Sequence, residues 1–253
     1  MGEAYRGGSA SLPVARVAII GYGPEAREQA VRLRAAGWLV DVVVRPGGMS
    51  WIRAVADGLR PVPAAEAATR ADVVAVHLPE SEQPAVWAYS IAPYLTPGSL
   101  VVFAHGSALY SGALDPDPGF DVVLVAGSDR REPMGACRVA VHRDATGHAL
   151  ERATAFVRAV FGASRIGTTT LDSEVRADIS ELVAKRGGLP ALLAEWDRVL
   201  ANQSHEPDEA TLTYYERLRA VAVSGERASE VAKPPRSRVD IPLMFMARKR
   251  GAA

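Results

Sequence analysis

The sequence is poor in the residues that disulfide scaffolds, membrane spans and nucleic-acid surfaces require. A single cysteine, Cys137, excludes a disulfide framework and a cysteine-based zinc site, and we expect it to be a small buried hydrophobe. No apolar run approaches the ~20 residues that span a bilayer. Lysine plus arginine and aspartate plus glutamate both number 29, which argues against nucleic acid or a membrane as a partner. Residues 1–14 lack the apolar core of a signal peptide, so we expect a flexible arm on a cytoplasmic protein.

Apolar segments and helical patterns alternate along the first two thirds of the chain. The strands predicted at 16–23, 39–44, 72–79, 99–106, 121–127 and 138–144 are almost continuously apolar, and helices are predicted at 24–37, 64–71, 81–95 and 147–162. Strands that are apolar on both faces, separated by helices, are typical of a parallel sheet covered on each side. The pattern predicts an α/β fold, a Rossmann-type doubly wound sheet over residues 15–165.

The rhythm changes near residue 165, where we place a domain boundary. Helical patterns follow at 172–186, 189–202 and 207–224, so residues 166–253 are expected to form a smaller all-helical domain. This segment has few aliphatic blocks with which to build a core of its own. We therefore expect a homodimer, in which a second copy covers its apolar surface.

The segment GYGPEA follows the first strand and opens the first helix. It fits the dinucleotide-binding pattern G-x-G-x-x-(G/A) through Gly21, Gly23 and Ala26. The first glycine permits a tight turn, the second allows the backbone to approach a pyrophosphate, and the alanine allows close helix–strand packing. The helix N-terminus attracts the phosphates. The segment is thus a candidate cofactor site, although a Rossmann-like domain without a nucleotide would show the same pattern. Its other members are Tyr22, Pro24 and Glu25.

The end of the second strand indicates which dinucleotide is preferred. NAD-binding domains usually carry an acidic residue here, for the ribose 2′-hydroxyl. This chain has Arg45 instead, followed by two glycines and Ser50. A cation and a hydroxyl suit a 2′-phosphate, so we predict NADPH as the cofactor. The alternative is that Arg45 is an ordinary surface arginine.

Several segments resemble those of ketol-acid reductoisomerases: VAIIGYGPEA, VVVRPGGMSWIRAVADG, HLPESEQ, FAHG and VAVHRDATGHALERATAF. The resemblance runs from about residue 15 to 165. It implies an enzyme that binds NADPH and two Mg²⁺ ions, migrates an alkyl group in a 2-hydroxy-2-alkyl-3-oxo acid and reduces the resulting ketone. It also implies that Leu78 and Pro79 of HLPESEQ contact the cofactor, and that His105 of FAHG lies beside the nicotinamide and the substrate. A histidine in a polar loop is the alternative for His105.

The sequence departs from the family where the resemblance implies metal ligands. The family has an Asp and a Glu four residues apart on one helix, and two Glu four apart on a later helix. Asp178 and Glu216 match the first member of each pair, but Leu182 and Ala220 stand at the second positions. Glu181 shares a helical face with Asp178 and could serve as a substitute ligand. We expect no bound Mg²⁺, with Asp178, Glu181 and Glu216 as the ligands if one ion is retained.

These departures favour a reductase that has lost the isomerase step. Alkyl migration needs metal ions to stabilise charge, whereas hydride transfer needs a positioned nicotinamide and a proton donor. We predict an NADPH-dependent reductase of a small imine, iminium or ketone, and specialised metabolism is a setting that suits such an enzyme. His105 is the candidate acid, and Asp178, Glu216 and Tyr215 line the site. The alternatives are a genuine ketol-acid reductoisomerase of unusual size and a non-enzymatic NADPH-binding protein.

Overall fold

The computed structural model describes residues 15–79, 82–126, 136–162, 165–185, 190–191, 193–194, 216 and 219–220. The described residues divide into two compact units. The first comprises the residues up to Gly106 together with Pro116–Leu171. The second comprises Ser107–Asp115 and the residues from Asp172 onward.

The first unit is built on one eight-stranded sheet. Its strand order is β3-β2-β1-β4-β5-β6-β7-β8, and β1 to β6 are mutually parallel. The order reverses between β1 and β4, as in a doubly wound α/β fold, so the predicted fold class is confirmed. The strands are β1 (Arg16–Ile20), β2 (Leu39–Val43), β3 (Arg60–Pro61), β4 (Val73–Val76), β5 (Leu100–Phe103), β6 (Asp121–Ala126), β7 (Ala136–Arg143) and β8 (Arg165–Thr169).

Helices cover the sheet in two groups. The helices of the described residues are α1 (Pro24–Ala35), α2 (Met49–Ala56), α3 (Ala64–Arg70), α4 (Gln83–Val86), α5 (Ser107–Ser111), α6 (Ala149–Phe161) and α7 (Leu171–Lys185). Of these, α5 and the part of α7 after Leu171 belong to the second unit and are not among the helices that cover the sheet. In one group α1 packs against α6. In the other, α3 packs against a π-helical turn at Trp87–Ile91 and a 3₁₀ turn at Ala92–Tyr94, which continue α4. Because both faces are covered, every residue of β4 and β5 is buried.

Three strands differ from the sequence prediction. The two-residue strand β3 was not predicted, and it pairs in parallel with β2. The strand predicted at 138–144 is β7, and it runs antiparallel to β6 rather than parallel to it. The segment Arg165–Thr169 was not predicted as a strand, since its pattern is not apolar, yet it pairs in parallel with β7 as the last strand of the sheet. An edge strand is solvated along one side, so it needs no continuous apolar run.

A buried carboxylate fixes the approach to α6. Asp121, at the start of β6, is fully buried. Its oxygens accept hydrogen bonds from the backbone N–H groups of Ala145 and Thr146 at 2.8 and 2.9 Å, from the Thr146 hydroxyl at 2.7 Å and from Arg152 at 2.8 Å. A buried charge is tolerated only when it is paired in this way, so the network is a structural element of the first unit.

The second unit is described through α5, the part of α7 that follows Leu171, and a few further residues. The Tyr110 hydroxyl donates a hydrogen bond of 2.8 Å to Asp172, which also accepts one of 2.8 Å from Arg176 Nε. The helices predicted at 189–202 and 207–224 lie mostly outside the described residues; their described members are helical. Within the described ranges, none of the helices combines the length and the apolar character that crossing a bilayer requires.

Candidate dinucleotide site

The turn after β1 has the geometry that a dinucleotide pyrophosphate needs. Gly21 has φ +93°, and a Cβ atom there would lie 2.9 Å from the carbonyl oxygen of His77, so no other residue fits without a shift. A Cβ atom at Gly23 would meet no atom of the described part of the chain within 4 Å, which leaves open space there in front of the backbone. Pro24 begins α1, and Ala26 is fully buried against the sheet. The helix start leaves backbone N–H groups without an intrahelical partner, and these can bind phosphate.

Tyr22 and Glu25 contribute differently from their neighbours. The Tyr22 side chain is buried in the core, and its hydroxyl donates a hydrogen bond of 2.8 Å to Asp57. Any contact of Tyr22 with a cofactor therefore falls to its backbone. Glu25 is exposed in the first turn of α1, where a carboxylate suits the helix dipole but has the same charge as a phosphate. Its backbone N–H is the group that can face the cofactor.

The Tyr22 hydroxyl belongs to a cluster that joins α1 to the end of α2. Arg27 forms a bidentate ion pair with Asp57, with both N–O distances at 2.7 Å. The hydrogen bonds from Arg27 and Tyr22 lower the pKa of Asp57 to about 2. Burial and the hydrogen bond to Asp57 raise the pKa of Tyr22 to about 12. The cluster therefore carries a fixed charge pattern throughout the neutral pH range.

Arg45 and Ser50 stand where the sequence places them, just beyond β2. The Arg45 side chain is 91% exposed, and its Nη2 lies 3.6 Å from a carboxylate oxygen of Glu82. An exposed ion pair at this distance contributes little and can be replaced by a ligand. Ser50 is half-buried in the first turn of α2. A cation and a hydroxyl are thus accessible at the end of β2.

The segment after β4 meets the glycine turn. Leu78 is half-buried, and one of its methyl carbons lies 3.4 Å from the position that a Cβ of Gly21 would take. Pro79 is exposed, and its carbonyl accepts the backbone N–H of Glu82 at 2.8 Å. The buried Gln83 donates from Nε2 to the Leu78 carbonyl at 3.0 Å, and its Oε1 has no hydrogen-bond partner among the residues that the structure describes. The residues on either side of positions 80–81 thus contact each other beside the glycine turn.

Two histidines end neighbouring strands at the same edge. Val76 of β4 pairs with Phe103 of β5, so His77 and His105 follow the strands nearly in register. His105 is exposed, whereas His77 is half-buried and its Nε2 lies 3.0 Å from Oε1 of Gln29 on α1. Burial, and to a smaller extent the electrostatic interaction with His105, lowers the pKa of His77 to about 4. The local sequence around His77 gives no indication of its contact with Gln29, which lies 48 positions earlier in the chain.

The predicted carboxylates lie in the other unit. Asp178 is half-buried on α7. Glu216 is exposed and has helical backbone. Glu181 belongs to α7, but its side chain, like the whole of Tyr215, lies outside the described residues. In the part of the chain that the structure describes, no three His, Cys, Asp or Glu side chains form a group that could hold a metal ion. The proposed convergence of these carboxylates on His105 stays a prediction.

The strand order, the glycine turn and the groups at the ends of β2, β4 and β5 define a dinucleotide-binding Rossmann domain. Residues 12–167 match the family described as acetohydroxy acid isomeroreductase, NADPH-binding domain. The chain belongs to this family, that of the ketol-acid reductoisomerases, and its cofactor domain is of the NADPH-binding type. The family that the sequence motifs suggested is thereby confirmed, as is the cofactor.

Individual relatives agree with this assignment. The ketol-acid reductoisomerase (NADP(+)) of Pyrobaculum neutrophilum is 40% identical over 233 residues, which cover 86% of this chain and 70% of the relative. That of Pyrobaculum islandicum is 39% identical over 214 residues, which cover 80% of this chain and 63% of the relative. The chain thus spans about two thirds of the length of these curated relatives.

A solved structure shows the same architecture. The NADH-preferring ketol-acid reductoisomerase from an uncultured archaeon superposes with a TM-score of 0.62 at 26% identity, covering 92% of this chain and 76% of that one. A 3-hydroxyisobutyrate dehydrogenase of Mycobacterium tuberculosis, at 16% identity and a TM-score of 0.52, shares the fold alone.

Proposed function

We propose that this protein is an NADPH-dependent reductase of a small C=N or C=O substrate, an imine, an iminium or a ketone, without isomerase activity. The observation that carries the proposal is an imbalance between the two halves of the chain. The residues proposed to bind the cofactor are all present, including the glycine turn after β1 and an exposed Arg45 beyond β2. Leu182 and Ala220, which stand four residues after Asp178 and Glu216, have side chains with no atom that can bind Mg²⁺.

The residues of the first unit can bind and orient the cofactor. The backbone between Gly21 and Ala26 receives the pyrophosphate, while Arg45 and Ser50 receive the 2′-phosphate. NADPH, when bound, supplies the hydride. His105 is exposed at the end of β5 and donates the proton that the reduced substrate needs. A protonated imine already carries positive charge, so its reduction requires less electrostatic help than alkyl migration, which depends on metal ions.

The carboxylates of the second unit serve, in this proposal, to attract a cationic substrate. Asp178, Glu216 and, by rotation of α7, Glu181 supply negative charge, and Tyr215 supplies a hydroxyl. Charge pairing with an iminium would use these groups without a metal ion. If one Mg²⁺ is retained, the same three carboxylates are its ligands and ketone reduction becomes the better assignment.

A second candidate function is full ketol-acid reductoisomerase activity. It is favoured by the relatives, which bear that name at 39–40% identity. The two candidates differ in whether the protein can catalyse the alkyl migration that precedes reduction.

A matched substrate panel separates the two. NADPH oxidation is followed with a 2-hydroxy-2-alkyl-3-oxo acid, which must rearrange first, with the corresponding 3-hydroxy-3-alkyl-2-oxo acid, which needs reduction only, and with a cyclic imine. Each is tested with Mg²⁺ and with EDTA. Our proposal expects turnover of the imine or of the rearranged acid and none of the unrearranged acid. Turnover of the unrearranged acid with Mg²⁺ would establish the second candidate instead. His105→Gln controls for a contaminating reductase, since it should lose the activity.

We further propose a cytoplasmic homodimer, in which the part of residues 166–253 that follows β8 forms a reduced helical domain that assembles with a second copy, and no nucleic-acid or membrane partner. The zero formal charge and the few aliphatic blocks of that segment support this assembly. Light scattering at micromolar concentration should give twice the mass of the 26.9 kDa chain. A monomer would rule out the assembly and leave the proposed reaction untouched.

A further inference from the structure

His77 is a polar group at the cofactor edge that the proposed reaction does not use. It follows β4 directly, and its backbone N–H donates to the carbonyl of Ile20, the last residue of β1. Its own carbonyl lies against Gly21. His77 thus stands between the two strands where the order of the sheet reverses, which is the position where ligands bind in open α/β sheets.

The contact with Gln29 fixes the tautomer of the ring. His77 Nε2 lies 3.0 Å from Gln29 Oε1. An amide oxygen carries no hydrogen, so Nε2 must carry the proton and donate it. In the neutral ring, the other nitrogen, Nδ1, then has only a lone pair and can only accept a hydrogen bond. The tautomer that α1 imposes therefore makes His77 an acceptor.

The surroundings keep the ring in that neutral form. Burial is the main cause that lowers the pKa of His77 to about 4, and His105 contributes in the same direction. At neutral pH His77 is therefore uncharged, and Nδ1 remains an acceptor. The residue as a whole is half-buried, so part of it is open to solvent at this edge.

We propose that His77 Nδ1 accepts a hydrogen bond from a ribose hydroxyl of the bound dinucleotide, with Gln29 as the residue that positions the ring. The inference rests on the NADPH binding of the proposed function and not on its substrate. A phosphate is excluded as the partner because its oxygens carry no hydrogen to donate at neutral pH. The donors of a dinucleotide include its ribose hydroxyls and the amide N–H₂ of the nicotinamide, and the experiment distinguishes these two.

The test is calorimetric binding of NADPH to the full chain and to single variants. His77→Leu removes the acceptor and should weaken binding about tenfold, the loss expected for one hydrogen bond. Gln29→Glu keeps the histidine and places a carboxylate beside Nε2, which favours the protonated ring. Both nitrogens are then donors, so binding should weaken by a similar factor. His148→Leu is the matched control, because His148 is 67% exposed and lies before α6, and it should bind as the unmodified protein does.

Cofactor analogues identify the donor. An analogue that lacks the donating ribose hydroxyl should bind the unmodified protein about tenfold more weakly than NADPH does. The His77→Leu variant has already lost this hydrogen bond, so it should bind the analogue and NADPH equally well. An acetylpyridine analogue, which lacks the amide N–H₂, should show an undiminished effect of His77→Leu. If the effect disappears with that analogue instead, the ribose assignment is overturned.

Two failures remain distinguishable. If the unmodified protein does not bind NADPH, the proposed function itself fails. If it binds NADPH and the folded His77→Leu variant binds equally well, only the role of His77 is refuted. Nitrogen-15 chemical shifts of the imidazole add a readout of the tautomer, which should show a non-protonated Nδ1 at neutral pH and a change in Gln29→Glu.

Discussion

The Tyr22 hydroxyl donates a hydrogen bond of 2.8 Å to the Asp57 carboxylate, and this contact ties the glycine turn to the end of α2. The two residues are separated by 35 positions, and Arg27 holds the same carboxylate from α1. The side chain of Tyr22, which lies between Gly21 and Gly23, thus anchors the glycine turn to the end of α2.

The first prediction concerns this contact. Tyr22→Phe removes one hydrogen bond while Arg27 still pairs with Asp57, so the free energy of unfolding should fall by about 1 kcal/mol. Urea unfolding followed by circular dichroism measures it. Tyr89→Phe is the control, since the Tyr89 side chain is 82% exposed and should leave the midpoint unchanged. Equal midpoints for Tyr22→Phe and the unmodified protein would show that the contact contributes nothing.

The second prediction is a pH dependence of stability. The pKa of His77 is about 4 in the folded protein and near its ordinary value of 6.5 when the chain is unfolded. Between these values the unfolded chain binds the extra proton, so stability should decrease as pH falls from about 6.5 to about 4 and this contribution should level off below. The expected loss is on the order of 2 kcal/mol, after allowance for partial exposure of the ring.

His77→Gln provides the comparison for that measurement. The substituted chain has no titrating group at this position, so the difference between the two stability curves isolates the histidine. The difference should be constant above pH 7 and should change between about pH 6.5 and 4. A difference that does not vary with pH would refute the assigned shift.

The third prediction concerns the choice of dinucleotide. Arg45→Asp removes the cation at the end of β2 and places a negative charge where the 2′-phosphate is expected. NADPH affinity should fall roughly 10- to 100-fold, the loss of one charge-assisted contact, while NADH affinity should not fall. Arg60→Ala is the control, because it removes an exposed arginine of β3 that pairs with Glu66 of α3. Equal affinity of the unmodified protein for NADH and NADPH would contradict the role given to Arg45.

The fourth prediction concerns the metal. If catalysis does not require Mg²⁺, turnover of the preferred substrate should survive dialysis against EDTA. Asp178→Ala should raise KM for a cationic substrate without changing the dissociation constant of NADPH, because it removes a charge that attracts the substrate only. Glu28→Ala, which removes an exposed carboxylate on α1, controls for a general charge effect. Loss of activity in EDTA that Mg²⁺ restores would instead indicate a single retained ion and a ketone substrate.

Local sequence was sufficient to predict β1, β2, β4, β5 and β6 of the parallel part of the sheet and the turn that follows β1, whereas the two-residue strand β3 was not predicted. A strand buried on both faces must be apolar at every position, as β4 and β5 are, and this requirement is visible without knowledge of its neighbours. The glycine at 21 is likewise explained by a local backbone demand, its positive φ. The cation beyond β2 lies where its place in the chain predicts.

Tertiary packing was required for the direction of β7, the strand β8 and the partners of the polar side chains. An apolar strand buries equally well in either direction, and its direction depends on the connection: a parallel return needs a crossover of about a dozen residues or more, and only positions 127–135 separate β6 from β7. Tyr22 meets Asp57, and His77 meets Gln29, across long stretches of chain. Hydrogen bonds between residues so far apart depend on where the fold brings two elements together, and no local periodicity records that.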